Sequence, residues 1–385
     1  MKKNSFNKFK NKKIKYLKKK KLNLCKLIRK PIIIIIFSFL LYSMHSKNSI
    51  INKKILIDVN TISNEDHYNR LLPKYKKHKY NKRDNSPLFK LEDSYDYKKM
   101  KETGKDKYIY DVCSVIKAKY ENLYVREFVE YYLSIGVDKF YFGDDNEDNV
   151  ENLSDVLDDY VKKGIVDINY VYHRNMSHEM FFDESYKSLK LRCKWILFID
   201  VDEFLEFTDK NMNIKTYLNM PIFDKCDTIR IHWLPYDDNN LVYYDERPLM
   251  QRLNHSVRHH QLNRYHKSIL RGKDFKGTVF TGTMHQPVPE TISEQCDAEG
   301  NFEKFGIGRL GYPKYKYCHF RHYTFKTAEE FTLKILKGSH QGVKYNIENL
   351  VDEFFKLNAF TEEKLRVLER IFNRTFPKFH KNSTI

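Results

Sequence analysis

From Trp195 to Leu205 the chain reads WILFIDVDEFL: an apolar run that ends in two aspartates one residue apart, then a glutamate. So short an apolar run, bounded by charges, reads as a strand buried in a sheet. In an extended strand, residues i and i+2 point to one face. Asp200 and Asp202 are therefore expected to point together, with Val201 turned into the core. Two carboxylates held that close repel each other unless a cation lies between them or their pKa values rise. A hard divalent ion bridged to phosphate oxygens satisfies both. Glu203 and Glu206 fit either of two roles, orienting such a site or facing solvent.

The flanking sequence places this strand in a larger frame. YIYDVCSVIK reads as a first strand. NLYVREFVEYYLSIG follows, with Tyr124/Val125, Phe128/Val129 and Tyr132/Leu133 recurring every four residues, a helix closed by Gly136. DKFYFGDD is a second strand, LSDVLDDYVKKG a second helix and VDINYVY a third strand; another helix is expected over roughly His178 to Cys193. Such alternation predicts an α/β fold with a mostly parallel sheet and helices on both faces. Ligands bind these sheets beyond the carboxyl ends of the strands, so Asp144/Asp145 and Asp200/Asp202 are expected to share one crevice.

The net charge of +18 suggests nucleic acid at first sight. Residues 1–30 hold 14 Lys/Arg and no Asp/Glu, so the rest carries only 18 − 14 = +4. The basicity belongs to a tail, and no nucleic-acid partner is expected. After it comes PIIIIIFSFLLYSM, Pro31 to Met44. This is shorter than the roughly 20 residues a spanning helix prefers, but Lys30 and Lys47 could snorkel to the two interfaces. The expectation is a basic cytosolic tail (1–30), a transmembrane signal anchor (31–47), a polar stem (48–107), a catalytic domain (108–340) and a helical extension (341–385). The lysine excess orients such an anchor as single-pass type II; in a eukaryote that would place the chain in the Golgi or another secretory-pathway membrane.

Four segments carry a family resemblance: ENLYVREFVEYYLSIGVDKFYFGDDN, WILFIDVDEFL, YHKSILR (Tyr265 to Arg271) and HYTFKTAEEF (His322 to Phe331). In this order they resemble the GT-A (Rossmann-like) glycosyltransferases of the family 92 and family 2-like type. The chain departs from that pattern at Tyr120, where the family has Asn, and at Tyr132, where it has His. The resemblance implies a sugar transferase using a nucleotide-diphosphate donor, a UDP-sugar such as UDP-galactose, and a glycan or glycoconjugate acceptor. It implies that Asp200 and Asp202 hold Mn²⁺ or Mg²⁺ against the diphosphate, that Asp144 and Asp145 contact the nucleoside or ribose, and that transfer inverts the anomeric carbon. Lys267 and Arg271 follow the metal strand and are expected to neutralise the leaving diphosphate. His322 is the candidate third metal ligand and Lys326 a phosphate contact.

Inversion needs a general base for the acceptor hydroxyl. Asp237, Asp238, Asp245 and Glu246 are candidates, and Asp238 is preferred; Trp233 and Tyr236 offer aromatic faces for a sugar ring. DDNN is equally a plain turn signal. The five cysteines beyond residue 31 lack CxxC spacing, so no zinc site is indicated and one or two disulfides are possible. IENLVDEFFKLNAF and EEKLRVLERIF read as amphipathic helices packing on the domain. Two other readings stand beside the transferase. One is an inactive sugar-binding or scaffold protein on the same fold; the other is a haloacid-dehalogenase-type phosphatase, which also ends a strand in Asp-x-Asp.

Overall fold

The first strand, Tyr110–Ala118 (β1), carries Val112, Val115 and Ile116, and from Val112 onward its odd and even positions meet different neighbours. Val112 and Ile116 enter one apolar cluster, and Cys113 and Val115 enter another. The structure is a computed structural model that describes residues 87–90, 108–148, 150–281, 283–302, 311–337 and 346–380. Helix α1 (Asn122–Ser134) buries Tyr124, Val125, Phe128, Val129 and Tyr132 against the first cluster. Gly136, at φ +103°, ends it in the left-handed region that favours glycine. Strand β2 (Lys139–Asp144), helix α2 (Ser154–Lys162) and strand β3 (Val166–Tyr170) follow.

Helix α3 (His178–Leu189) starts where the Ser177 hydroxyl accepts from the Met180 amide, and packs Phe181, Phe182 and Tyr186 onto the opposite face. Helices thus cover both faces of the sheet. Helix α3 stops short of Cys193, which instead opens strand β4 (Cys193–Phe198). Strand β5 (Glu203–Phe207), the short helices α4 (Ile214–Leu218) and α5 (Leu249–Arg252), and strands β6 (Thr228–Pro235), β7 (His266–Arg271), β8 (Gln295–Asp297) and β9 (Cys318–His322) complete a nine-stranded sheet.

Its order is β3-β2-β1-β4-β7-β6-β9-β5, with β8 on β6. From β3 to β4 every pairing is parallel, as the alternation predicts. Beyond β4 the sheet is mixed: β7 runs antiparallel to β4 and to β6, β5 runs antiparallel to β9, and β8 and β9 run parallel to β6. The result is a mixed α/β sheet consistent with a GT-A, Rossmann-like fold.

Helices α6 (Ala328–Lys337), α7 (Ile347–Leu357), α8 (Glu362–Phe372) and α9 (Pro377–His380) form the C-terminal part. Phe325, Phe331, Val351, Phe354, Leu365 and Leu368 make a third apolar cluster there. Disulfides join Cys113 to Cys193 and Cys226 to Cys296, leaving Cys318 as a buried thiol.

Leu88 and Phe89, within the stretch expected to be a spacer, are buried; Phe89 meets the Tyr141 and Phe181 rings edge-on. The single-pass membrane localisation is corrected: no helix among the described residues is long and apolar enough to cross a membrane. The expected anchor, residues 31–47, lies outside the described residues, as do the basic tail and most of the expected stem.

Candidate active site

The end of β1, the turn after β4 and the β9–α6 connection converge beyond the carboxyl ends of the parallel strands, and they enclose a cavity of about 240 Å³. Lys117, Lys119, Lys326 and Lys334 supply positive charge to its walls; Glu121, Asp200, Asp202 and Glu330 supply negative charge. Trp233, His285 and His322 line an aromatic side.

Asp200 and Asp202 both reach this cavity, but not by strand alternation. Strand β4 ends at Phe198, and residues 199–202 turn the chain so that Glu203 opens β5. The turn is closed from both sides: the Glu203 amide donates to the Asp200 carbonyl at 3.1 Å, and the Asp200 amide donates to Glu203 Oε2 at 3.0 Å. Val201 packs into the core.

The aspartates have different partners. Asp200 Oδ2 lies 2.6 Å from Lys267 Nζ, and its Oδ1 lies 3.4 Å from His178 Nε2. Asp202 Oδ2 lies 3.8 Å from His322 Nε2, which is also 2.8 Å from Thr324 Oγ1. Ligand atoms of Asp202, Glu203 and His322 all lie within 4.8 Å of one another. Glu203 Oε1 is buried without a hydrogen bond, with Lys267 Nζ 3.7 Å away. Two carboxylates and an imidazole, one carboxylate oxygen left unsatisfied, are a donor set that fits a divalent ion.

Electrostatics agree with that fit. Burial opposes charge on Asp202, but its neighbours, among them the Lys326 and Lys334 ammoniums, outweigh it and hold its pKa below the ordinary carboxylate value. Burial pushes His322 down to about 3, so the imidazole is neutral and offers a lone pair at pH 7. Burial drives Glu203 well above the usual carboxylate range, which an ion beside it would reverse.

Other expected site residues are placed differently. Asp144 is buried outside the cavity lining, and accepts from the Leu153 amide and the Asn146 side chain. Burial raises it to about 6, and its visible work is to tie the β2–α2 loop. Asp145 pairs with Lys117 at 3.0 Å and so touches the cavity through that lysine. Arg271 is a correction. Strand β7 is antiparallel to β4, with Ser268 beside Phe198 and Arg271 beside Trp195. The four residue steps from Lys267 to Arg271 span roughly 13 Å of strand. Arg271 therefore sits at the opposite end of the sheet, stacked on Trp195 and donating to the Cys226 and Phe223 carbonyls.

Asp238 is a second correction. Its carboxylate is 1% exposed and lies 2.6 Å from the buried Lys364 ammonium, which α8 supplies. It does not line the cavity. Lys326 does, with φ +58° and its ammonium 4.5 Å from the Tyr124 ring centre. Trp233 lines the cavity, whereas Tyr236 packs on Tyr323 and beneath Arg321. His319 turns to Glu206 on the other side of β9, where burial is outweighed by His319, Arg321 and Lys210 and the Glu206 carboxyl is held far below its usual range.

Sequence reading passed over Lys117, His178 and Lys334. Lys117 carried a signal, since a lysine in the apolar strand Val115-Ile116-Lys117-Ala118 needs a buried partner. It has two, the Met176 carbonyl and Asp145. His178 and Lys334 carried none.

Residues 108–291 match the model of glycosyltransferase family 92. This match takes in Lys117, the Asp200–Glu203 turn, Trp233 and Lys267, and ends before His322 and Lys326. No curated protein matches the chain. Among solved structures, TarS 1-349 of S. aureus is 9% identical, with TM-score 0.27 over 71% of this chain and 73% of that one. The same fragment in complex with UDP-GlcNAc is 10% identical, with TM-score 0.33 over 71% and 76%. Mannosyl-3-phosphoglycerate synthase from Rubrobacter xylanophilus is 12% identical, with TM-score 0.28 over 53% and 68%. The family 92 match supports a glycosyltransferase.

Proposed function

We propose that this protein is a divalent-metal-dependent glycosyltransferase that moves a hexose from a UDP-sugar, such as UDP-galactose, to a glycan or glycoconjugate. The observation that carries this reading is the meeting of Asp202, Glu203 and His322 within 4.8 Å beside a lysine-walled cavity. Mn²⁺ suits a mixed carboxylate and imidazole set, with Mg²⁺ the alternative. Bound there, the ion would neutralise charge on the departing diphosphate.

The remaining work falls to side chains. Lys326 is held against the Tyr124 face, and Lys334 donates to the Thr324 carbonyl; both cations are positioned before any ligand arrives. Lys117, fixed by Asp145 and the Met176 carbonyl, adds charge from the β1 side. The Trp233 ring, against His285 and His322, offers an apolar face to a sugar. Inversion, which the family resemblance implies, needs a base. Asp238 is withdrawn from that role, since Lys364 occupies its carboxylate.

Calorimetric titration of UDP into the full chain, with and without Mn²⁺, tests the reading. The expected result is binding that requires Mn²⁺ and is lost in Asp202→Ala. A folded wild type that ignores UDP in the presence of Mn²⁺ would overturn it.

A further inference from the structure

The Asp200–Glu203 turn crowds three carboxylates into four residues, and Lys267 stands among them. Crowded carboxylates repel, and a buried ammonium is costly without an anion close by. Lys267 is fully buried on β7, beside residue 199, because Ser268 pairs with Phe198. The Phe182 ring and Met284 Sδ confine its ammonium at 5.9 and 3.7 Å. From there it reaches Asp200 at 2.6 Å and Glu203 at 3.7 Å. With His178 beside Oδ1, both Asp200 oxygens face basic side chains. Asp202 turns the other way, toward His322.

We propose that Lys267 and Asp200 form a clamp that positions the metal site without ligating the ion: Lys267 holds Asp200 out of the ligand set and leaves Glu203 to join Asp202 and His322. The inference rests on the metal-site reading above. It divides the Asp-x-Asp-Glu run into a positioning aspartate and two ligands, where the family resemblance implies ligation by both aspartates.

The charges make the clamp testable. In Asp200→Asn the lysine loses its anionic partner, and Glu203 becomes the nearest carboxylate for it. Lys267 would then compete with the ion for Glu203. Removing the lysine as well should release Glu203 again. Mn²⁺ affinity of the full chain, read from the EPR signal of free Mn²⁺, should fall about tenfold or more in Asp200→Asn. It should return to within about threefold of wild type in Asp200→Asn/Lys267→Met, by the same logic of a freed carboxylate ligand. Glu203→Gln should stay weak whether or not Lys267 is replaced. If Lys267→Met spoils folding in a thermal melt, Lys267→Gln takes its place. Equal weakness of Asp200→Asn and the double variant would make Asp200 a ligand and overturn the clamp alone. Absence of Mn²⁺ binding by folded wild type would overturn the metal site and the clamp with it.

Discussion

Asp238 lies in DDNN, a run that reads as an exposed turn, yet its carboxylate is buried against Lys364. Local sequence shows the turn and not the lysine, which arrives from α8 more than a hundred residues later. The same blindness affected Glu203, which could be solvated or functional until the fold placed Lys267 and His322 around it. At this scale the ion pair yields a prediction. Asp238→Asn leaves the Lys364 ammonium buried without an anion, a change that typically costs about 3–5 kcal/mol. Urea unfolding should show the loss, while Mn²⁺-dependent UDP binding by the folded fraction stays near wild type. A large fall in UDP affinity with unchanged stability would return Asp238 to the site.

Elements β1 to β4 were legible because their apolar runs are short, β-rich and separated by amphipathic helices. Their ends were less so. WILFIDVDEF looks like one continuous strand, but backbone pairing stops at Phe198, since β5 pairs with β9 instead of continuing along β1. Close approach between elements was also invisible. Gly143 in β2 faces α3, and a Cβ there would lie 2.5 Å from the Phe181 ring. Gly143→Ala must push α3 or β2 aside and should destabilise the fold by about 1–3 kcal/mol, an overpacking cost. The urea midpoint measures it. An unchanged midpoint would mean that Phe181 moves freely and that α3 is packed more loosely than its buried aromatic contacts indicate.

For the whole molecule, the histidines buried on the sheet set a pH limit. Burial lowers His232 to about 4, the Asp297 carboxylate opposing it only in part. His266, directly across the β6–β7 pair, is lowered well below its ordinary value by burial. Above pH 6.5 such a histidine is neutral in folded and unfolded chains and contributes no pH dependence. Below it, the unfolded chain binds a proton that the fold refuses, so stability falls until the folded pKa is reached. For His232 alone the loss approaches about 3 kcal/mol by pH 4. Urea midpoints measured between pH 7 and pH 4.5 should fall, and His232→Gln should fall less steeply than wild type. Parallel slopes would show that His232 takes up protons within the fold.

WILFIDVDEFL was enough to announce a buried strand with acids just beyond it, and the helix periodicity around it was enough to announce an α/β sheet. Both are local consequences of burial and hydrogen bonding, written in residues that stand next to one another. Which acids face which cations was a different matter. Lys267 meets Asp200 because β7 returns antiparallel; Arg271 leaves the site for the same reason. His322 meets Asp202 and Glu203 because β9 pairs with β5, and Lys364 claims Asp238 because α8 folds back on the domain. Such pairings depend on strand direction and long-range register, which bring together charges far apart in the chain, and no run of adjacent residues specifies either.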